Sequence, residues 1–341
     1  MVKVSVIIPV YKVPLKYLRA CLDSLVAQTM QESEFIVVSD GAPEAECSTC
    51  EEYTTKDYRL KFFKRSHSGV SATRNYGIEK SQGEYITFVD CDDWIEQETI
   101  SLVYNYAKQN NSDIVLWEAQ TTSNNPHENL FSRNIESIAP TEIHNICKNC
   151  IFTNQSKYFS VSLVACKLFR KSLIDLNTIQ YPIELQINED RSFNITAISK
   201  AKKISYLNKS LYYYRIHQES TSHKYIPNAF PVLTAFLKQF NQEQNEEYSE
   251  SIFLEYIRSF FESWKLCYMH PYNKDSIFKR IFQLSNIVKS ADFQQQIHAH
   301  SLKKFSFDVQ IELFLFRFKI TFPIYLNAIK SAIRQNLSFK N

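Results

Sequence analysis

Glycine is scarce in this chain of 341 residues. Only Gly41, Gly69, Gly77 and Gly83 occur, all in the first quarter, and 258 residues follow the last of them. Backbone that must turn sharply or approach a ligand closely is therefore concentrated in that first quarter, which points there for a site. Cysteine is sparse too: eight residues are too few for a disulfide scaffold of this length, and the thiols are expected to stay reduced. No uncharged apolar run reaches the roughly 18 residues that a membrane span needs, and the chain opens on a strand-like segment rather than a signal peptide. A cytoplasmic protein is expected. The formal net charge of +3 is too small to suggest a nucleic-acid binder.

What is present is an ordinary globular composition, 44% hydrophobic and 22% charged, which excludes disorder and fibrous repeats. Phe and Tyr are plentiful enough for a sizeable core and for an aromatic-lined cleft. Val4-Ser-Val-Ile-Ile-Pro-Val-Tyr11 is a nearly continuous apolar run, the pattern of a strand buried on both faces of a parallel sheet. Leu15, Leu18, Leu22, Leu25 and Val26 then recur at helical spacing. The alternation repeats through strands at 35–38, 60–63, 85–89 and 113–116, with helices at 44–56, from about 70, and at 96–109. Such βα alternation predicts an α/β fold built on a doubly wound, mostly parallel sheet, whose ligands bind beyond the carboxyl ends of the strands. The pattern breaks into polar loop between 120 and 150, a mixed segment runs to about 225, and from Pro227 onward the sequence is helical in tone. There Phe253, Ile257, Phe260, Phe261 and Trp264 read as packing between helices.

The predicted strand ends collect Tyr11, then Asp40-Gly41, then Arg65 to Gly69, then Asp90, Asp92 and Asp93. Asp90 and Asp92 lie two residues apart at the end of an apolar strand and leave the sheet on the same side. Hard oxygens so placed suit Mn2+ or Mg2+, which also coordinate nucleotide phosphates. Taken alone, the same cluster also reads as a cap on the following helix, with Asp92 or Asp93 accepting from backbone N–H groups. Ser68-Gly-Val-Ser-Ala-Thr-Arg-Asn-Tyr-Gly77 combines a glycine-opened helix start, an Arg one turn in and a second Gly that permits close packing. It reads as an anion site or as a capped surface helix.

Taken in order and spacing, Val4 to Tyr11, Val38-Ser-Asp-Gly41, Gly69 to Gly77 and Phe88-Val-Asp-Cys-Asp-Asp-Trp94 resemble the family 2 glycosyltransferases of the GT-A fold, over about residues 1–120. The resemblance implies a GT-A-like sheet followed by a mainly helical C-terminal region. It divides the chain into a nucleotide-sugar-binding half at 1–120, an acceptor-binding and catalytic-base half at 121–225, and a helical region with a basic tail at 226–341. It implies an inverting, metal-dependent enzyme that moves one sugar from a nucleotide-sugar, commonly UDP-linked, to a hydroxyl of a cell-surface glycan precursor. Pro9, Tyr11, Asp40, Arg65, Arg74, Asp90 and Arg215 would bind the donor. Asp92, with Asp90 and His217, would hold Mn2+ or Mg2+. Asn188-Glu-Asp-Arg-Ser-Phe193 resembles the segment carrying the general base, which makes Asp190 the candidate and Glu189 its alternative. On the acceptor side the resemblance places Lys167, in Ala165-Cys-Lys-Leu-Phe169, while Trp94 either stacks on a sugar ring or packs at a helix start. Ser39 stands where the family often has an acid, and Ala42-Pro43 replaces hydroxyl residues, departures that fall on base recognition. No Gln-x-x-Arg-Trp occurs, which sets the processive polysaccharide synthases apart.

Two pairs, Cys47-x-x-Cys50 and Cys147-x-x-Cys150, have zinc-like spacing but lack the glycine and basic turns of a zinc knuckle, so helical cysteines are the expectation. Residues 301–341 carry seven bases against two acids and interleave them with Phe, Leu and Ile. That pattern fits an interfacial helix drawn to anionic lipid at the inner face of the membrane, where a lipid-linked acceptor would sit. It equally fits the packed helical end of a domain. A nucleotidyltransferase on a related sheet is the rival enzyme and would want a Gly-rich loop after the first strand, where Tyr11-Lys-Val-Pro-Leu15 has none. A non-catalytic glycan-assembly subunit is the rival without turnover.

Overall fold

The computed structural model describes residues 1–121, 143–152, 164–216, 225–240 and 242–327. The chain divides into two compact units, Met1–Gln218 and Glu219–Asn341.

The first unit is α/β. Its elements run β1 (Val4–Val10), α1 (Leu15–Val26), β2 (Ser33–Asp40), α2 (Glu44–Lys56), β3 (Leu60–Arg65), α3 (Val70–Lys80), β4 (Tyr85–Phe88), β5 (Trp94–Ile95), α4 (Thr99–Asn110), β6 (Ile114–Thr121), α5 (Ile143–Ile151), β7 (Lys167–Arg170), α6 (Lys171–Leu176), α7 (Glu189–Lys200) and β8 (Ile204–Tyr214). The sheet order is β3-β2-β1-β4-β7-β6-β8-β5. Strands β3, β2, β1 and β4 are parallel, as the apolar runs predict, and β6 pairs parallel with β8. Between them the short β7 runs antiparallel to both β4 and β6. β2 is buried at every position and β1 at all but Pro9, because both faces of these central strands are covered by helices. Helix α3 lies so close to β1 that a Cβ on Gly77 would come 2.4 Å from Ile7 Cγ2. That proximity fixes where the amino end of α3 meets the strand ends.

The second unit, among its described residues, is helical. It comprises α8 (Ala229–Thr234), a 3-10 turn at 235–239, α9 (Gln242–Ser263), α10 (Ile277–Lys289), α11 (Ala291–Ala299) and α12 (Phe307–Arg317). Phe253, Ile257 and Phe260 on α9 are buried, and Phe260 packs edge-on to Phe293 and Phe316 at 5.2 and 5.9 Å between ring centres. Ser276 and Ser290 cap α10 and α11 by accepting from Lys279 and Phe293 N–H groups.

The cysteine pairs lie on α2 and α5, where Cys47, Cys50, Cys147 and Cys150 are buried, and no disulfide joins any of the eight. Among the described residues no helix is long and apolar enough to cross a membrane.

A candidate active site at the strand ends

Three segments converge where β2, β4 and the start of α7 meet. The first is the end of β2. Asp40 is buried there, and its carboxylate accepts from the backbone N–H groups of Ser68 at 2.7 Å and Gly69 at 3.0 Å. Gly69 precedes α3 with φ of +91°, a backbone that side chains rarely adopt, so the turn delivering this N–H to Asp40 depends on glycine. His67 Nδ1 lies 2.9 Å from Oδ2 of the same carboxylate, and its ring stacks on Tyr11 with 4.4 Å between ring centres. Tyr11 itself remains partly exposed beyond the end of β1.

The second segment is the aspartate run after β4. Asp93 points inward and is 1% exposed; it accepts from the Tyr212 hydroxyl at 2.6 Å and from the Arg215 N–H at 2.7 Å. Burial, then the charges of Asp90 and Asp92, push its pKa up to about 8. Arg215 also donates through Nε to the Asp92 carbonyl at 2.8 Å and lies over the rings of Tyr17 and Trp94. Trp94 is stacked on Tyr213 at 5.0 Å, so one of its faces is already covered by protein. The aspartates do not cap the next helix: α4 starts only at Thr99, because Trp94 and Ile95 pair with β8 and the Glu96 N–H donates to the Leu211 carbonyl.

Arg74 ties this run to the third segment. Its side chain is 5% exposed, and it meets three carboxylates: Asp90 at 3.1 Å, Glu189 at 3.2 Å and Asp190 at 2.6 Å. Burial opposes the guanidinium charge, and the fields of Asp190 and Asp90 more than reverse that, so its pKa is raised. Tyr181 lies beneath it at 5.3 Å and is stacked on Phe193 of α7. Glu189 and Asp190 form the first turn of α7, which opens from Asn188 in the left-handed conformation. Asp190 stays 25% exposed. Burial raises its pKa to about 7; Arg74 opposes the shift, and Glu189 and Asp90 add to it. A carboxyl in that condition can take up a proton near neutral pH.

The sequence of this site and its frame decides the family. The profile of "Glycosyl transferase family 2" matches residues 5–174, and the relative named "Putative glycosyltransferase EpsH" of Bacillus subtilis (strain 168) is 33% identical over 275 residues, covering 73% of this chain and 72% of EpsH. The chain belongs to glycosyltransferase family 2. It is also 35% identical to glycosyltransferase GlyA of Streptococcus pneumoniae serotype 4 over 224 residues, 64% of this chain but only 31% of GlyA. The chain thus spans under a third of that larger relative. In fold it is similar to Staphylococcus aureus TarS 1-349 in complex with UDP-GlcNAc, with a TM-score of 0.69 and 21% identity over 98% of this chain and 92% of that one. TarS is named a poly(ribitol-phosphate) beta-N-acetylglucosaminyltransferase. With the family established, the nucleotidyltransferase alternative falls.

Of the residues expected from a family 2 glycosyltransferase, Asp40, Arg74, Asp90, Asp92, Glu189, Asp190 and Arg215 come together, with Pro9 and Tyr11 at the end of β1. Arg65 is turned elsewhere. Its guanidinium donates to the Ala72 carbonyl at 2.8 Å and lies 4.7 Å from the Tyr76 ring, lining a cleft of about 530 Å3 on the outer side of α3. Lys167 on β7 is buried completely, and burial lowers its pKa to about 8 against the opposing charges of Cys150, Cys166 and Asp190. His217 lies outside the described residues. For a divalent cation the donor chemistry fits in kind, since Asp90 and Asp92 offer hard oxygens. Among the described residues no three candidate ligands gather into a cluster. The partners to which sequence reading gave no role are His67, within the Arg65 to Gly69 stretch, Tyr212, three residues before Arg215, and Tyr181, which no motif marks.

Proposed function

We propose that this glycosyltransferase acts by single displacement, taking a sugar from a UDP-linked donor to a hydroxyl of a bacterial surface-glycan precursor, with inversion at the anomeric carbon. One observation carries the reading: a single buried guanidinium, Arg74, joins the donor-side carboxylate Asp90 to the acid pair Glu189 and Asp190. The donor choice is supported by the UDP-GlcNAc complex of TarS, and the acceptor class by the teichoic-acid polymer in its name.

In this reading Tyr11, braced by His67, and Asp40 frame the nucleoside, Pro9 shapes the bend beneath it, and Arg215 faces the diphosphate. Asp190 takes the proton of the acceptor hydroxyl as that oxygen attacks from the side opposite the leaving diphosphate. Glu189 and Lys167 act on Asp190 through their charges. Trp94 borders the acceptor. Asp92, with Asp90 and His217, would hold Mn2+ or Mg2+, and a cation bound there offsets the charge that grows on the departing diphosphate. Arg65 takes no part, since it rests on Tyr76. Work on a lipid-linked acceptor would place the enzyme at the inner face of the membrane, a location supported by the exposed Phe307, Ile311 and Phe314 of α12.

The test is direct. Asp190→Asn is expected to lower turnover by ~10²–10⁴ with UDP affinity near wild type, and Glu189→Gln to cost far less. The reverse ranking would move the base to Glu189, and a product of retained anomeric configuration, read by NMR, would end the single-displacement reading. For the metal, calorimetric UDP titrations should show tighter binding with Mn2+ than without it. Equal affinities, or full activity of Asp92→Ala, would remove the aspartate run from metal binding.

A further inference from the structure

The helical unit holds a cavity of about 410 Å3, walled by the Tyr225–Asn228 segment, the end of α9 and α10. Three features of its wall bear on what it takes.

The first is polarity that the protein itself does not use. Gln283 and Asn286 sit one turn apart on α10 and so project from one side of it. Neither carboxamide has a hydrogen-bond partner among the described residues. Asn228, exposed at the start of α8, makes no capping bond with its side chain either. The second is shape. α9 runs into a π-helical turn, Trp264–Tyr268, closed by the Met269 N–H on the Trp264 carbonyl at 2.7 Å. Widened turns of this kind recur at functional sites. Here the turn sets Cys267 and Tyr268 into the wall, and the Ile226 N–H bonds to the Leu266 carbonyl at 2.9 Å, holding Tyr225 opposite α10.

The third is charge. The one acid on the wall, Asp275, is met by Lys279 at 2.7 Å, and no Lys or Arg lines the space. Nearby Arg280 directs its guanidinium at the backbone carbonyls of Asp275, Asn273 and Tyr268. An anion would therefore enter without a counter-charge. An apolar ligand would cover two carboxamides without offering either a partner. A neutral polyol meets both demands, because a hydroxyl donates and accepts and so does a carboxamide. The Tyr225 ring, tilted against His270 at 5.4 Å, adds an apolar surface for the C–H face of a sugar.

We propose that this cavity binds a neutral sugar unit of a glycan, as a site of its own on the helical unit. Size agrees, since small-ligand pockets begin at about 300 Å3. The full chain, saturated with UDP, would be applied to an array of immobilised neutral oligosaccharides built from glucose, galactose and N-acetylhexosamines, with glucuronic-acid and sugar-phosphate spots as anionic counterparts. Neutral spots should bind. The double variant Gln283→Ala, Asn286→Ala should lose at least tenfold in affinity at an unchanged melting temperature, while Asp190→Asn binds as wild type. Should the double variant fold poorly, Asn286→Ala alone, at an exposed position, should lose severalfold. The proposal is overturned if no neutral spot binds, if anionic spots bind better, or if the α10 variants bind as wild type. Array binding involves no transfer chemistry, so its failure would leave the catalytic reading intact.

Discussion

Arg74 is the residue on which the described site turns, because three carboxylates share its charge while it is almost wholly buried. Removing one partner of such a group leaves like charges facing each other in a poorly solvated place. Arg74→Gln is therefore expected to cost about 3–5 kcal/mol of stability, and to cost less at pH 5 than at pH 8, since protonation relieves the clustered acids; urea unfolding at both pH values measures this. Asp190 makes a second prediction. Its folded pKa, near 7, lies above the ordinary 3.8, so the stability tied to its proton is present below about pH 4 and is lost as pH rises toward 7. Asp190→Asn should then be more stable than wild type at pH 8 and no different at pH 4. For the wild type kcat/KM should fall below about pH 7, as the base becomes protonated. Arg74 and all three carboxylates were legible in the sequence as candidates, but their pairing was not: the partners lie 16, 115 and 116 residues away, and only the fold brings them together. Asp40 teaches the same lesson. Its link to the Ser68 and Gly69 N–H groups depends on the φ of Gly69, which no spacing encodes.

Elements were legible in proportion to their length and burial. β1 and β2 announce themselves because both faces are covered and their centres, Val4–Val10 and Phe35–Val38, are nearly continuous apolar runs. β5 and β7, of two and four residues, are too short to carry a period, and their strand character comes from pairing with β8 and with β4 and β6. The start of α4 shifts from the expected Glu96 to Thr99 for that reason. Helix α3 offers the sharpest test at this scale. A Cβ at position 77 overlaps Ile7 Cγ2, so Gly77→Ala must push α3 off β1 or force Ile7 from its rotamer, at about 1–3 kcal/mol. Because α3 also carries Arg74, activity should fall with stability. Combining Gly77→Ala with Ile7→Ala removes the overlapping methyl, so the double variant should lose less than the sum of the singles, and strict additivity in a thermal-unfolding cycle would refute the contact.

Across the whole molecule, basic charge and exposed aromatic surface gather toward the C-terminus. The sequence left open whether this marks a membrane-facing helix or a packed end, and α12 has both characters. Leu313 and Phe316 are fully buried against the helical unit, whereas Phe307, Ile311, Phe314 and Phe318, spaced along one face, are 46–75% exposed. Deleting residues 301–341 would thus remove core side chains and confound any binding assay. Substitution on the open face avoids that. Of the tail bases, Lys304 is paired with Glu250 and Arg317 bonds the Ile297 and His300 carbonyls, while Lys330, Arg334 and Lys340 lie outside the described residues. The aromatic stripe should accordingly matter more than any one charge: burying such a side chain contributes about 1.5–3 kcal/mol, against ~1 kcal/mol for a base near an anionic surface. Full-length protein should sediment with phosphatidylglycerol vesicles in a salt-sensitive manner. Phe314→Ser with Phe318→Ser should weaken that binding at least tenfold, and Lys303→Ala only severalfold, with melting temperatures unchanged. If the wild type ignores such vesicles at low salt, the stripe faces another protein chain instead, an acceptor free in solution becomes the better assignment, and sedimentation velocity on the Phe314→Ser, Phe318→Ser variant would then show whether that chain is a second copy.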